Sequence, residues 1–350
     1  MLKKISQLFI WGFSGTRVSR DLKKALLQYP PAGLILFKRN IESPRQLRHL
    51  TSELQSLSEK PLLIGIDQEG GRVSRLPEPF TQYPPAATWG EIYQRMGHRE
   101  GQNFLRRIGR YLGRELKSAG INLDFAPVLD VDSNPKNPII GDRAFSTNPN
   151  IVIKTTIPFF KGLLDSGVIP CGKHFPGHGD TMTDSHLTLP VVKKTKAALE
   201  KTELAPFRAA IQAKIPMLMT AHVVYPALDP KNPATLSRKI LTNFLRKKLR
   251  FKGIVISDDL DMKAIANRYS LTEASSLAFN AGVDLILICK DFEKRGSIVE
   301  GLAKEAEKGP TLRARLAESL GRITNPIGVG PVLRFRPPVL TRCARAGARP

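Results

Sequence analysis

Short apolar runs recur along this chain with helix-like segments between them, and this alternation constrains the fold most strongly. Such runs, rich in aliphatic residues and bounded by turn residues, are typical of strands that are buried on both faces. The runs lie at Gln7–Gly12, Gly33–Phe37, Leu62–Asp67, Asn122–Pro127, Pro170–Phe175, Met217–His222, Gly253–Asp258 and Asp284–Cys289. The helices are expected at Arg20–Gln28, Pro44–Ser58, Gly101–Ala119, Val152–Ser166, Lys196–Lys214, Arg238–Arg250, Leu271–Ala281 and Phe292–Lys308.

Eight β/α units in series predict an α/β protein that consists of a single (β/α)8 TIM-type barrel. The competing architecture is a doubly wound open sheet, but no G-x-G-x-x-G fingerprint opens a first β/α turn. Any irregularity is expected in the first strands. We expect the barrel to occupy residues 1–323. Residues 324–350 hold five prolines, five arginines and no acidic residue, which predicts a disordered tail.

The sequence does not predict secretion, insertion into a membrane or a disulfide framework. No apolar run approaches the roughly 20 residues that span a bilayer. Lys3 and Lys4 precede an apolar patch at Leu8–Phe13, but this patch is shorter than the core of a secretory signal and no A-x-A site follows it. The three cysteines are widely spaced and form no C-x-x-C pattern. We therefore expect a cytoplasmic protein.

The net charge of +23 leaves open nucleic acid, an anionic membrane surface or an acidic substrate as partners. The excess is spread over pairs of basic residues in the predicted helices, such as Arg106–Arg107 and Lys247–Lys248. No basic stripe with interleaved aromatic residues accompanies it, so we interpret it as a solvated surface that would assist binding of anionic substrates. A nucleic-acid-binding protein is the alternative, which a strongly salt-dependent affinity for duplex DNA would support.

Ionisable residues recur at one end of the predicted strands. Asp67, Asp130, His174, His222 and Asp258 each lie at or just after the carboxyl end of a strand. In a barrel all of these ends face one mouth, where side chains from different strands meet in an active site. Each residue alone could serve as a turn or capping residue, but five in equivalent positions predict a shared site.

The stretch Lys173–His186 (KHFPGHGDTMTDSH) has the highest density of reactive side chains, with three histidines and two aspartates. Three interpretations stay open on the residues alone. The side chains could bind zinc or iron, although their spacing matches no compact helical motif. The histidines could make only local hydrogen bonds. Alternatively, Asp184 could orient His186 as a general acid/base, because imidazole exchanges protons near neutral pH.

Two further stretches carry acidic residues directly after a predicted strand. In GIVISDDLDM, Asp258 is either a nucleophile that forms a covalent intermediate or, with Asp259, an N-cap of the next helix. In GIDQEGGRVSR, Asp67 either binds vicinal sugar hydroxyls together with Arg72 and Arg75 or forms a structural ion pair with an arginine.

Several sequence blocks together resemble glycoside hydrolase family 3, and within it the single-domain bacterial β-N-acetylhexosaminidases of peptidoglycan recycling. The blocks are GLILFKRNI, IGIDQEGGRV, INLDFAPVLDV, GDRAFS, GKHFPGHGDTMTDSHLTLP, TAHVVYP and ISDDLDM, in family order. The resemblance implies a monomeric, retaining exo-β-N-acetylglucosaminidase without metal or cofactor. It would remove terminal β-linked N-acetylglucosamine from muropeptides, with no specific nucleic acid or membrane partner. A phosphorylase of the same substrates and a family 3 β-glucosidase are the alternatives.

The resemblance also implies roles for individual residues. Asp258 corresponds to the nucleophile, His186 to the acid/base and Asp184 to its orienting partner. Two-domain relatives take an acid/base carboxylate from a second domain, for which this chain has no room beside the barrel, and this favours the histidine. The chain departs from the family after about residue 323. The residues that correspond to sugar ligands are Asp67, Arg75, Arg143, Lys173 and His174, with His222 on a strand end that lines the same pocket.

Overall fold

A computed structural model describes residues 1–182, 189–290, 292–307 and 309–326, and parallel strands form the centre of the fold. The strands of this described part are β1 Phe9–Gly12, β2 Gly33–Leu36, β3 Leu63–Ile66, β4 Leu123–Asp124, β5 Ile169–Phe175, β6 Met217–Thr220, β7 Val224–Tyr225, β8 Asp229–Pro233, β9 Ile254–Ile256 and β10 Ile286–Ile288. Eight of these described strands pair in the order β10-β1-β2-β3-β4-β5-β6-β9, each in parallel with its neighbours. Each of the eight predicted runs therefore contains a strand.

The two ends of this sheet meet, which makes the sheet a barrel. A parallel bridge joins Ile256 to Leu285. The backbone N–H of Ser257 donates to the carbonyl of Leu285 at 2.9 Å, and the N–H of Leu285 donates to the carbonyl of Val255 at 3.0 Å. Closure pairs the edges that a doubly wound sheet would leave open. The (β/α)8 prediction is confirmed.

Irregularity lies elsewhere than in the first strands, where we expected it. Strands β1, β2 and β3 pair in continuous register. The register shifts instead between Gly172 and Phe175, where β5 pairs with β6. The antiparallel pair β7 and β8, which directly follows β6, has no counterpart in the predicted runs. Both departures lie next to the histidine-rich loop that follows β5.

Helices pack around the barrel and carry the amphipathic pattern that predicted them. Ser19 and Ser43 cap two of them, since each hydroxyl accepts a backbone N–H at the first turn. The helices are Leu2–Ser6, Arg20–Gln28, Pro44–Ser56, Ala86–Met96, His98–Ser118, Pro149–Asp165, Lys196–Lys201, Leu204–Gln212, Lys239–Lys248, Lys263–Ala266, Leu271–Ala281, Arg295–Glu307 and Pro310–Thr324. Short 3-10 turns occur at Lys38–Asn40, Gly141–Arg143, Ala234–Leu236 and Phe292–Lys294. Among the described helices, none is both long and apolar enough to cross a membrane.

The last helix, Pro310–Thr324, is fastened to the barrel through a fully buried carboxylate. Asp284 lies just before β10 and accepts Arg315 at 3.1 Å and Arg322 at 2.9 Å, both from this helix. Arg246 makes a third ion pair with the same carboxylate. Although burial alone would raise it, the three guanidinium groups lower the pKa of Asp284. The predicted tail beyond residue 326 lies outside the described residues.

The barrel interior fixes which side chains reach the mouth. Alternate residues of a barrel strand point to the axis, and Leu63 and Ile254 belong to the apolar cluster inside the barrel. Asp67 and Asp258 each follow four residues later, so the same alternation aims them at the axis above this cluster. Lys173 follows the interior residues of β5 in the same way. Asp67, Lys173 and Asp258 thus belong to a polar layer directly above an apolar core.

Candidate active site

A chain of ion pairs links several of the predicted sugar ligands at the mouth. The Lys173 ammonium lies 2.8 Å from Oδ1 of Asp67 and 2.6 Å from Oε1 of Glu69. Arg143 forms a two-bond pair with Glu69, from Nε at 2.8 Å and from Nη2 at 2.9 Å. Arg75 pairs more loosely with Asp67, at 3.4 Å. The structure therefore brings Asp67, Arg75, Arg143 and Lys173 together.

Glu69 is the centre of this network, and the sequence analysis did not select it. Its side chain is 4% exposed, and that of Lys173 is 3% exposed. Burial works against the charge of both groups, but their opposite charges dominate. Arg143 and Lys173 lower the pKa of Glu69, and the two carboxylates raise the pKa of Lys173. A second carboxylate two residues after Asp67 was the available signal.

The loop after β3 is shaped by its own side chains. Oε1 of Gln68 accepts the backbone N–H groups of Arg75 at 2.8 Å and Leu76 at 3.2 Å, which folds the loop back on itself. Gly70 has a φ of +97°, and a Cβ there would lie 2.4 Å from a backbone oxygen of the next loop segment. Glycine is therefore required at this turn. The result is that Asp67, Glu69 and Arg75 lie close together, since Arg75 pairs with Asp67 and Lys173 joins Asp67 to Glu69.

Asp130 holds the start of the histidine-rich loop. Its fully buried carboxylate accepts the backbone N–H groups of His174 at 3.1 Å and His178 at 2.7 Å, and its Oδ2 lies 2.7 Å from Nδ1 of His174. Burial would raise the pKa of Asp130, but the His174 ring and these donors lower it. An ionised carboxylate only accepts hydrogen bonds, so Nδ1 of His174 carries the proton. Nε2 of His174 takes no part in this bond with Asp130.

His178 is also buried, but it contacts the protein. Its Nδ1 lies 2.9 Å from the hydroxyl of Thr181. Burial, followed by the neighbouring His174, lowers the pKa of His178 to about 4. Of the predicted acid/base pair, Asp184 and His186 both lie outside the described residues. Within the described part of the chain, no group of three or more His, Cys, Asp or Glu residues is arranged to hold a metal ion.

Asp258 is an ionised carboxylate that does not cap a helix. The next helix begins at Lys263, with Met262 at its N-cap position, so the capping alternative is excluded. Burial would raise the pKa of Asp258, but His222, then His174, the Asp259 N–H and Lys173 lower it. The N–H of Asp259 donates to Oδ1 of Asp258 at 2.8 Å. Asp258 is thus charged and held in place, as a nucleophile has to be.

The neighbouring Asp259 has the opposite environment. Its Oδ1 accepts the backbone N–H groups of Asp261 at 3.1 Å and Cys289 at 3.0 Å, which ties the turn to the end of β10. Burial, followed by the charge of Asp261, raises the pKa of Asp259 to about 7. The pKa values of the two adjacent carboxyl groups are therefore shifted in opposite directions. Strand alternation aims Asp258, and not Asp259, at the barrel axis.

His222 and Arg72 take part in contacts within the protein. Nε2 of His222 lies 2.9 Å from the carbonyl oxygen of Asp259, and Nδ1 lies 2.8 Å from the Thr235 hydroxyl. Arg72 pairs with Asp142 at 2.9 Å, whereas the structural alternative for this loop, an ion pair between Asp67 and an arginine, is found with Arg75 at 3.4 Å. His222 still lies at a strand end beside Asp258, as the sequence predicted, but both of its ring nitrogens have protein partners.

A (β/α)8 barrel that gathers an ionised aspartate, a lysine, arginines and a histidine at the carboxyl ends of its strands has the arrangement in which barrel enzymes place their active sites. Comparison with known proteins identifies the class. Residues 1–325 match the glycosyl hydrolase family 3 N-terminal domain. The chain belongs to glycosyl hydrolase family 3 and is a glycoside hydrolase.

Individual relatives resemble most of the chain. A β-hexosaminidase of Nitrosomonas eutropha is 40% identical over 89% of this chain and 88% of its own length. A family 3 β-N-acetylglucosaminidase from Paenibacillus sp. superposes with a TM-score of 0.88 at 38% identity, covering 93% of this chain but only 61% of that longer protein. NagZ from Neisseria gonorrhoeae, in complex with N-trifluoroacetyl-D-glucosamine, gives a TM-score of 0.76 at 33% identity and covers 90% of this chain and 98% of that chain.

Proposed function

We propose that this protein is a retaining exo-β-N-acetylglucosaminidase of the β-hexosaminidase type. The observation that carries the proposal is the ionised, axis-facing Asp258, which lies near His174 and Lys173. An aspartate that is charged at neutral pH needs no further activation to attack an anomeric carbon. The names of the relatives, β-hexosaminidase and β-N-acetylglucosaminidase, support the choice of sugar.

In this mechanism Asp258 attacks the anomeric carbon and forms a covalent glycosyl ester, while His186 protonates the leaving oxygen. Asp184 orients His186. Water that is deprotonated by His186 then releases the sugar, and the two inversions give net retention. Asp184 and His186 lie outside the described residues, so their roles rest on the sequence resemblance. His178, with its lowered pKa and its Thr181 contact, is a poor candidate for the same task.

The sugar would be held by Asp67, Arg75, Arg143, Lys173 and His174. Lys173 and Arg143 are already charged and fixed by Glu69, so they present donors to sugar oxygens with little loss of side-chain entropy. Nδ1 of His174 is bonded to Asp130, which leaves Nε2 to form a hydrogen bond with a sugar hydroxyl. Asp67 lies on the opposite side of the barrel from Asp258, so one sugar ring would span the mouth between them.

The natural substrate in this proposal is a muropeptide fragment, in which N-acetylglucosamine is linked to anhydro-N-acetylmuramic acid. We further propose a monomeric, cytoplasmic enzyme whose catalytic barrel is residues 1–323, followed by a tail without catalytic function. Cys171 and Cys289 are free and buried, which fits a reducing compartment.

Activity on a chromogenic N-acetylglucosaminide tests the proposal. Asp258→Ala is expected to lower kcat by about 10³-fold or more, because the nucleophile is lost. His186→Ala is expected to lose about 10²–10⁴-fold, as for a general acid/base. Asp165→Asn is the matched control with unchanged activity, since Asp165 pairs with arginines on the outer helices.

Wild-type turnover by Asp258→Ala would show that the nucleophile assignment is wrong. Release of the α-anomer as first product would contradict retention. Parallel assays with added inorganic phosphate separate the hydrolase from a phosphorylase, which would yield the sugar 1-phosphate. The corresponding β-glucoside, assayed beside the N-acetylglucosaminide, separates the enzyme from a β-glucosidase.

A further inference from the structure

The ring of His222 is enclosed by protein in a way that fixes its protonation. His222 is fully buried and follows β6. Its Nε2 lies 2.9 Å from the carbonyl oxygen of Asp259, and a carbonyl oxygen only accepts hydrogen bonds. Nε2 therefore carries a proton and donates it to this carbonyl. The structure thus determines one half of the hydrogen bonding of His222 without reference to any ligand.

Hydroxyl groups behind the ring set its orientation. Nδ1 of His222 lies 2.8 Å from Oγ1 of Thr235. The same oxygen lies 2.8 Å from Oγ1 of Thr220 and 3.0 Å from the carbonyl oxygen of Ala221. Three partners around one buried hydroxyl hold it in place. The ring is consequently fixed at both nitrogens.

The carbonyl that His222 holds belongs to the turn that carries Asp258. The N–H of Asp259 donates to Oδ1 of Asp258 at 2.8 Å, while the carbonyl of the same residue accepts from His222 and from the N–H of Met262 at 3.1 Å. The Asp259 carboxylate is bonded in turn to the N–H of Cys289 on the β10 side. The turn after β9 is therefore braced from both neighbouring barrel strands.

We infer that His222 is a positioning residue, which orients the Asp258 carboxylate through the Asp259 carbonyl, and that it is not a ligand of the sugar. This inference rests on the proposed role of Asp258. A buried brace of this kind acts on the attack geometry, because Asp259 N–H and the Asp258 carboxylate move with the turn. A displacement of about 1 Å at a reacting group costs roughly 10²-fold in rate.

Two amide substitutions form a matched pair for the test. The side-chain nitrogen of glutamine reaches the position of Nε2, whereas that of asparagine reaches only the position of Nδ1. His222→Asn and His222→Leu are expected to lower kcat/KM on an aryl N-acetylglucosaminide by about 10²-fold. His222→Gln is expected to recover at least about tenfold of that loss. In all three variants, the inhibition constant of free N-acetylglucosamine is expected to stay within about threefold of wild type.

Thermal unfolding midpoints of the three variants show whether each is folded at the assay temperature. If His222→Leu is unfolded there, the comparison of His222→Asn with His222→Gln is sufficient for the test. A weaker inhibition constant that parallels the loss of kcat/KM would make His222 a sugar ligand and overturn the inference. Equal losses in Asn and Gln, or wild-type activity in all variants, would overturn it as well. Asp258→Ala is assayed alongside the His222 variants. If Asp258→Ala is active, the proposed function fails. If Asp258→Ala is inactive but the His222 variants do not behave as expected, only the positioning role fails.

Discussion

Glu69→Gln is the substitution for which the structure makes the sharpest prediction. In the variant, one carboxylate oxygen that accepts hydrogen bonds from Arg143 or Lys173 becomes an amide NH2 group, which only donates. The amide nitrogen would then face a buried cationic nitrogen at a position where the oxygen–nitrogen distance is 2.6 to 2.9 Å in wild type. Both carboxylate oxygens of Glu69 are occupied, so no rotation of the amide avoids this clash. Removing one partner of a buried ion pair costs about 3–5 kcal/mol. Lys173 keeps Asp67 as a counter-charge, at 2.8 Å, which limits the loss.

The expected result is a free energy of unfolding in urea that is about 3–5 kcal/mol lower than in wild type. For a chain of this size, this corresponds to a Tm lower by roughly 4–7 °C. The inhibition constant of N-acetylglucosamine should also rise, because Arg143 and Lys173 lose their fixed positions. Asp142→Asn is the matched control, since the Asp142–Arg72 pair has both side chains 47% exposed. An exposed pair contributes only about 0–1 kcal/mol.

The pH dependence of the stability difference between wild type and Glu69→Gln gives a second check. Arg143 and Lys173 lower the pKa of Glu69 in the folded protein, against the opposing effect of burial. The stabilisation is therefore fully present above the unfolded-state pKa of about 4.3 and decreases as the pH falls below it. The difference in free energy of unfolding between wild type and Glu69→Gln should accordingly be constant from about pH 7 to about 5 and narrow as the pH falls below about 4. Equal stability of the two proteins at pH 7 would refute the reasoning.

Three more predictions follow from the same structure. Asp284→Asn leaves three arginines without their shared anion and should lower the free energy of unfolding by about 3–5 kcal/mol in urea titrations, and an unchanged midpoint would contradict this. Gly179→Ala would place a Cβ 1.6 Å from the backbone oxygen of Val131, so the loop must shift. We expect kcat/KM to fall by about 10²-fold while circular dichroism shows a folded protein, and wild-type kinetics would contradict this prediction. Because its surroundings lower the pKa of Asp258, protonation of this carboxylate is expected to reduce kcat/KM only below the ordinary aspartate pKa of about 3.9. A pH profile of kcat/KM in which Asp258 titrates above pH 5 would contradict the lowered pKa.

Short apolar runs that alternate with helix-like segments were sufficient to predict the barrel, and the ionisable residues after these runs predicted the end at which its site lies. Each predicted run contains a strand, although most strands are shorter at one or both ends, since pairing stops before the apolar composition does. The helix Ala86–Met96 and the pair β7–β8 were missed. Both lie in segments rich in proline, glycine or polar residues, where local pattern carries little information. The predicted helix Lys196–Lys214 is two helices, Lys196–Lys201 and Leu204–Gln212.

The candidate site likewise has residues that the sequence predicted and residues that it did not. Asp67 and Asp258 were predictable because the carboxyl ends of barrel strands meet at one mouth, whereas Lys173 was predicted only through the family resemblance. Glu69 was not, because its importance comes from Arg143, 74 positions away along the chain. The contacts of His222 with Thr235 and Asp259 likewise depend on how separate strands meet.

The sequence by itself therefore determined the number of β/α units and the residues that stand at the carboxyl ends of the strands, because hydrophobic periodicity and strand direction are local properties. Only the tertiary structure decided that the sheet closes into a barrel and which of those residues are bonded to the protein. It assigned Asp258 to the mouth and excluded it as a helix cap, made Glu69 the counter-charge of two cations, and gave both nitrogens of His222 protein partners. These outcomes depend on distances between segments far apart in the chain, and hydrogen bonds and ion pairs form or fail within a few tenths of an ångström.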